Sequence, residues 1–390
     1  MKMFRVVFAV AAFAVVQAGF SAELVVRVVH AKSGPTVAML HGLELADTTA
    51  PAPFILLKTP EGSDTEAIIS DLKNDPLVTW VEENKEVRTA DPQNGKGNTI
   101  PIVFYDPWMY YMNREEADQI NLPYGFFKRP GSRIGIVDTG LSWRVWSIWR
   151  RVVASQSFVP GLTSPNDVPR GIDSNHNGIY DEAAGHGSMV AGIVAMTAPN
   201  SEMVISKVAD SDGLATSWTI IKGVSYCVSQ SCKVINLSFG TRTTLTAFDG
   251  VAKWVEENDV VLVAPVGNDG VYGAMYPAKL RSVISVAAVD RYNRKADFSN
   301  YDRATDMAAP GVRIRSAYWN GYFSEWSGTS FAAPFVAGAI ASAIPRFSMV
   351  SPHQVRWSLR MTSKNIDDEN PDYRGKIGRL LDVAALRGAF

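Results

Sequence analysis

The sequence predicts an α/β protein, a mainly parallel sheet covered by helices on both faces, preceded by a small α+β unit. Three observations carry this. From residue 101 to 390, short apolar strand candidates alternate with helix candidates, and such alternation packs as a parallel sheet with both faces covered. Before it, Ala90-Asp91-Pro92-Gln93-Asn94-Gly95-Lys96-Gly97-Asn98-Thr99 is polar and turn-forming, so it separates two units. Finally, 46% hydrophobic and 20% charged residues in a chain of 390 suffice for a sizeable core and two or three domains.

The elements follow in order. Lys2 and Arg5 precede an apolar run over 6–16 and then small residues, the order of a secretory signal peptide. We assign it to 1–22, with cleavage after Ala18 or Ala22; the run is too short to span a bilayer. No later stretch is apolar enough to do so, which predicts a secreted protein, extracellular or periplasmic, with no membrane span. Residues 23–89 read as strands at 24–29, 54–58 and 78–82 with a helix over 65–74 started by Ser63 and Asp64. A linker follows at 90–100. In the larger unit, 101–390, strands are expected at 133–137, 203–208, 234–237, 260–264 and 283–286. Helices are expected at 187–196, 217–228, 245–258, 330–344, 352–361 and 380–386.

The net charge of -1 argues against nucleic acid as the main partner. No oligomerisation signal is present, so a monomer is the default. Cys227 and Cys232 are close; a small disulfide loop and two reduced buried thiols fit equally well.

Four polar residues fall at the edges of these elements. Asp138 ends the first strand of the larger unit, in Ile136-Val137-Asp138-Thr139-Gly140, and open α/β sheets place their sites at carboxyl ends of strands. His186 opens a helix in Gly185-His186-Gly187, with Val190-Ala191-Gly192 behind it. Asn268 follows a buried strand in Val266-Gly267-Asn268. Ser330 begins an uncharged apolar helix in Gly328-Thr329-Ser330-Phe331-Ala332-Ala333-Pro334, where free N–H groups favour a forming anion. Each has a plainer reading taken singly: a loop carboxylate, an exposed histidine, a turn asparagine, a helix cap. Together, in the order Asp, His, Ser, they point to nucleophilic acyl transfer.

In these motifs the chain resembles the subtilases, subtilisin-like serine proteases, from about residue 101 onward. The first unit is similar to that family's inhibitor-type propeptide, chiefly over 78–87. The resemblance implies Ser330 as nucleophile, His186 as general base and acid, Asp138 as its orienting carboxylate, and Asn268 with the Ser330 backbone N–H as oxyanion hole. It also implies substrate-binding edges at Gly213 and Leu214 and at Ser238, Phe239 and Gly240, with Ala264, Pro265 and Gly267 lining the first specificity pocket. Pro265 and Val266 give that pocket an apolar floor, so hydrophobic or aromatic side chains are expected there. The implied activity is a self-processing endopeptidase, with peptides, proteins and its own propeptide as partners and maturation cleavage between 87 and 99.

Two residues depart from the family pattern. Ser188-Met189 stands where Thr-His is usual, and Phe331 where methionine follows the nucleophile. The alternative function is a catalytically impaired, peptide-binding relative, for which Met189 is the only mark; a lipase or esterase lacks its Gly-x-Ser-x-Gly elbow. The chemistry requires no cofactor. A structural calcium is an open alternative to a solvated turn at Asp173, Asn175, Asn177 and Asp181, whose spacing follows the first half of a calcium loop; Ala184 stands where the closing Glu belongs.

Overall fold

A computed structural model of the chain describes residues 22–89, 98–105, 108–124, 130–346, 348 and 350–390. The expected signal run and most of the expected linker, 90–97, lie outside the described residues.

The first unit comprises β1 (Glu23–Val28), α1 (Gly34–Leu40), β2 (Glu44–Thr48), β3 (Phe54–Lys58), α2 (Thr65–Asn74) and β4 (Val78–Glu83). The strands form an antiparallel sheet in the order β2-β3-β1-β4. The apolar Leu24-Val25-Val26 run of β1 reflects burial on both faces. Leu24, Val26 and Val28 pack with Val37 of α1 and Leu72 of α2, whereas Val25 joins Phe54 and Leu56 against the larger unit. Asp64 starts α2 by accepting from the Ala67 N–H at 3.0 Å. Next, β5 (Glu86–Thr89) leaves this unit and enters a groove of the larger one.

The larger unit continues with β6 (Asn98–Val103), α3 (Met109–Met112), α4 (Arg114–Gln119), β7 (Ile134–Asp138), α5 (Trp146–Trp149) and β8 (Val152–Ser157). Then come α6 (His186–Thr197), β9 (Met203–Lys207), β10 (Leu214–Thr216), α7 (Ser217–Ser229), β11 (Val234–Leu237), β12 (Phe239–Gly240) and α8 (Thr246–Glu257). The chain ends through β13 (Val261–Pro265), β14 (Val283–Val289), β15 (Met307–Pro310), β16 (Ile314–Ala317), β17 (Tyr322–Trp326), α9 (Thr329–Ala343), α10 (Pro352–Thr362), β18 (Arg379–Leu380) and α11 (Val383–Gly388).

Eight parallel strands in the order β18-β15-β14-β13-β11-β7-β9-β8 make the central sheet. Helices α6 and α9 are apolar on all sides and buried almost throughout, as helices inside a core must be. Against the expected linker, β6 begins at Asn98 and pairs with β17. The helix expected at 380–386 is instead a strand and a helix. Leu380 extends the sheet beside β15, and Asp382 then caps α11 through the Ala385 N–H at 3.0 Å.

Candidate active site

Strand β7 delivers Asp138 to the carboxyl edge of the sheet, and α6 begins at His186 directly opposite. The His186 Nδ1 lies 2.7 Å from Asp138 Oδ1, and both side chains are buried. The Thr139 N–H also donates to that oxygen at 2.7 Å, which fixes the carboxylate. A proton on Nδ1 directed at Asp138 leaves Nε2 as the basic nitrogen of neutral His186. The imidazole packs against Phe331 and Trp326, with ring centroids 5.3 and 6.0 Å away.

A second carboxylate, which sequence reading missed, ties these two elements together. Asp167, fully buried, accepts from Thr139 Oγ1 (3.1 Å), Gly185 N (2.9 Å), Ser188 N (3.0 Å) and Ser188 Oγ (2.7 Å). Burial pushes its carboxyl above the ordinary carboxylate range, against the pull of Lys207 and of those donors. Lys207 is buried too; its ammonium is held below the usual lysine range by desolvation and donates to the Thr139 carbonyl. Ser188 thus has a defined task, and the neighbouring Met189 simply fills the core. At Gly187 a Cβ would stand 2.3 Å from the Gly140 carbonyl oxygen, so only glycine lets the two elements approach this closely.

Ser330 is the second residue of α9; its Oγ is buried and makes no hydrogen bond. Its carbonyl explains a proline inside the helix. Pro334 has no N–H to return to Ser330 O, and that oxygen instead accepts from Ser238 Oγ at 3.1 Å, linking α9 to the residue between β11 and β12. Asn236 Nδ2 donates to Ser238 Oγ at 2.8 Å behind it. The Asn268 amide is oriented by its oxygen, which accepts from Thr329 N (2.9 Å) and Thr329 Oγ1 (2.8 Å), placing its nitrogen on the opposite side.

The groove beside these residues lies between two short edges. Strand β5 fills it as the middle of a three-stranded antiparallel sheet, β10-β5-β12. Arg88 faces Leu214 on one side and Gly240 on the other, Thr89 faces Phe239, and the Thr89 N–H donates to Gly213 O at 3.1 Å. Gly213 has φ +85°, and a Cβ there would meet Thr89 Oγ1 at 2.5 Å. Val87 is buried in one apolar cluster with Ala215, Trp218 and Phe239. Ala264, Pro265 and Gly267 form a buried stretch at the end of β13. Met275, which sequence reading missed, lies over Gly267, its Sδ 2.8 Å from where a Cβ would be.

The residues expected at the calcium turn make hydrogen bonds within it. Asp173 accepts from the Asn177 and Gly178 N–H groups, and Asn177 N–H also donates to Asn175 Oδ1. Asp181 turns away, its oxygens accepting from the N–H groups of Arg170, Gly171 and Ile172 and from Ser211 Oγ. Asp181 thus stands apart from Asp173, Asn175 and Asn177, and among the described residues no three His, Cys, Asp or Glu side chains come together as a metal site. Cys227 and Cys232 are buried free thiols.

Residues 129–377 match the model of the subtilase family of peptidases. Subtilisin E of Bacillus subtilis is 30% identical over 333 residues, 82% of this chain and 78% of its own length. Subtilisin DY of Bacillus licheniformis is 33% identical over 272 residues, 66% of this chain and 92% of that protein. Fervidolysin of Fervidobacterium pennivorans, a keratinolytic enzyme related to subtilisin, shares the fold with a TM-score of 0.71 at 20% identity, over 95% of this chain and 62% of that one.

Proposed function

The chain belongs to the subtilase family of serine endopeptidases, and from that premise we propose a secreted enzyme working through Asp138, His186 and Ser330, made as a precursor that cuts itself. The observation that carries the triad is the buried 2.7 Å pairing of His186 with Asp138 beside the N-terminus of α9. His186 Nε2 takes the Ser330 proton as Oγ attacks the substrate carbonyl, and Asp138 stabilises the resulting imidazolium. The negative charge forming on the carbonyl oxygen is met by the Asn268 amide nitrogen and the Ser330 backbone N–H. Imidazolium then protonates the departing amine, and water releases the acyl group by the same steps reversed. These side chains and water suffice for the reaction.

The lie of β5 supports the precursor reading. It fills the groove as an extended substrate would, with backbone pairing on both sides, while its side chains contribute one buried anchor, Val87. Residues 23–89 would therefore act as an intramolecular inhibitor, and the maturation bond would follow Thr89 within 90–97. Asn84 and Glu82 reinforce this docking: Asn84 Oδ1 accepts from Trp218 N at 2.9 Å at the start of α7, and Glu82 Oε2 from Ala247 N at 2.7 Å at the start of α8. The test is expression from Glu23, with and without Ser330→Ala. The parent should shorten and bind a fluorophosphonate probe, whereas the variant should do neither. A parent that stays full length and unlabelled under folding conditions refutes the proposal.

A further inference from the structure

Alternation along β5 sends Val87 inward and Arg88 outward, and an outward arginine would ordinarily lie in solvent. Arg88 does not. Its side chain bends back over the groove wall, 35% exposed, and Nη2 donates to the Ser174 carbonyl at 3.2 Å. Nη1 is buried 3.8 Å from Asp212 Oδ2. The Asp212 side chain is fully buried, and its other contacts are neutral donors: Ser174 N (3.0 Å), Ser174 Oγ (3.1 Å), Asn175 N (3.3 Å) and Glu182 N (3.2 Å). Among the described residues, Arg88 is the cation paired with it. That cation is borne by the first unit, so its departure leaves the Asp212 carboxylate at the groove wall without its paired cation. A buried charge favours whatever cation next comes within reach.

On the endopeptidase reading, a substrate occupies the groove in the register of β5. We infer that Asp212 and the Ser174 carbonyl form a cation-binding subsite, which selects Arg or Lys in the substrate residue taking the place of Arg88. The carbonyl and the carboxylate lie where a forked guanidinium meets both, so Arg is preferred to Lys. The nearby Asp173, Asp181, Glu182 and Asp210 add a field of the same sign, against Arg170, His176 and the buried Lys207.

The test uses the matured enzyme and synthetic peptides with the sequence of residues 84–95, carrying Arg, Lys, Gln or Glu at position 88. The expected order of kcat/KM is Arg, Lys, Gln, Glu, with Arg about three- to tenfold above Gln at low salt and the ratio shrinking as salt is added. The variant Asp212→Asn should bring the Arg-to-Gln ratio close to one. If that variant fails to fold, the salt dependence in the parent decides. Equal rates across a series that is cleaved overturn the subsite and leave the endopeptidase reading intact. Failure of the folded, matured enzyme to cleave any of the peptides overturns that reading and the subsite with it.

Discussion

Glu82 gives the sharpest quantitative prediction about how the two units hold each other. Helix α8 has Leu245 at its N-cap, which offers no side-chain acceptor, so its first turn depends on a carboxylate from the other unit. Glu82 Oε2 accepts from Ala247 N at 2.7 Å and Thr246 Oγ1 at 3.2 Å, while Lys85 holds Oε1 at 2.7 Å. Helix α7 differs, because Thr216 and Thr219 form a capping box within the larger unit and Asn84 only adds to it. Losing a cap costs about 1–2 kcal/mol, and losing an anion at a helix N-terminus about 0.3–1 kcal/mol more. In the uncleavable Ser330→Ala chain, Glu82→Ala should therefore lower hydrogen-exchange protection at the start of α8 by about ten- to 150-fold. Glu82→Gln keeps an acceptor and loses only the charge, so about two- to fivefold is expected. The start of α7 should be unaffected by either. Unchanged exchange in α8, or an equal loss in both helices, refutes the reasoning.

Three further outcomes follow from the geometry. His41 bridges Asp71 (2.7 Å) and Asp75 (2.8 Å); burial alone lowers its pKa, but the two carboxylates outweigh it and the net shift is upward. The stability this adds to the first unit is complete below the ordinary histidine pKa and lost as pH rises through the raised folded value. Denaturant titrations of the Ser330→Ala chain from about pH 5.5 to about pH 8.5 should show that loss, and His41→Gln should flatten it. Asn268→Ala should lower kcat by about 10²–10³, the range known for the oxyanion-hole asparagine of subtilisin. It should also lower Tm, since the buried Thr329 N–H and hydroxyl lose their acceptor. Met275→Gly should open the space over Gly267 and raise the kcat/KM ratio of Phe to Ala peptides by about tenfold, read from a series varied at the scissile residue.

What the sequence made legible follows from how each element is stabilised. Helices α6 and α9 and strands β7, β9, β11, β13 and β14 are buried, and burial leaves long apolar runs that can be read one segment at a time. Elements stabilised by a distant partner left no such mark. β5 has one apolar residue, Val87, and is a strand because β10 and β12 flank it. The β16–β17 hairpin carries Arg315 and Glu325 as a cross-strand ion pair at 3.1 Å, which breaks the apolar pattern. β8 is a half-exposed sheet edge. The candidate site divides the same way. Glycine-flanked motifs exposed Asp138, His186, Asn268 and Ser330, whereas Asp167 lies in a stretch without periodicity and becomes visible only when four donors converge on it.

The slot between β10 and β12 has a consequence for which chains can be destroyed. Its two edges demand a visitor with free backbone donors and acceptors over the length of β5, four residues. A folded protein has already committed those groups to its own helices and sheets. To enter, it must first release such a stretch, so its rate of digestion tracks the free energy of local opening. If substrates take the place of β5, as proposed, the groove acts as a gauge of foldedness, sparing intact neighbours and consuming damaged ones. On that proposal sister copies are subject to the same gauge and survive for as long as they stay folded.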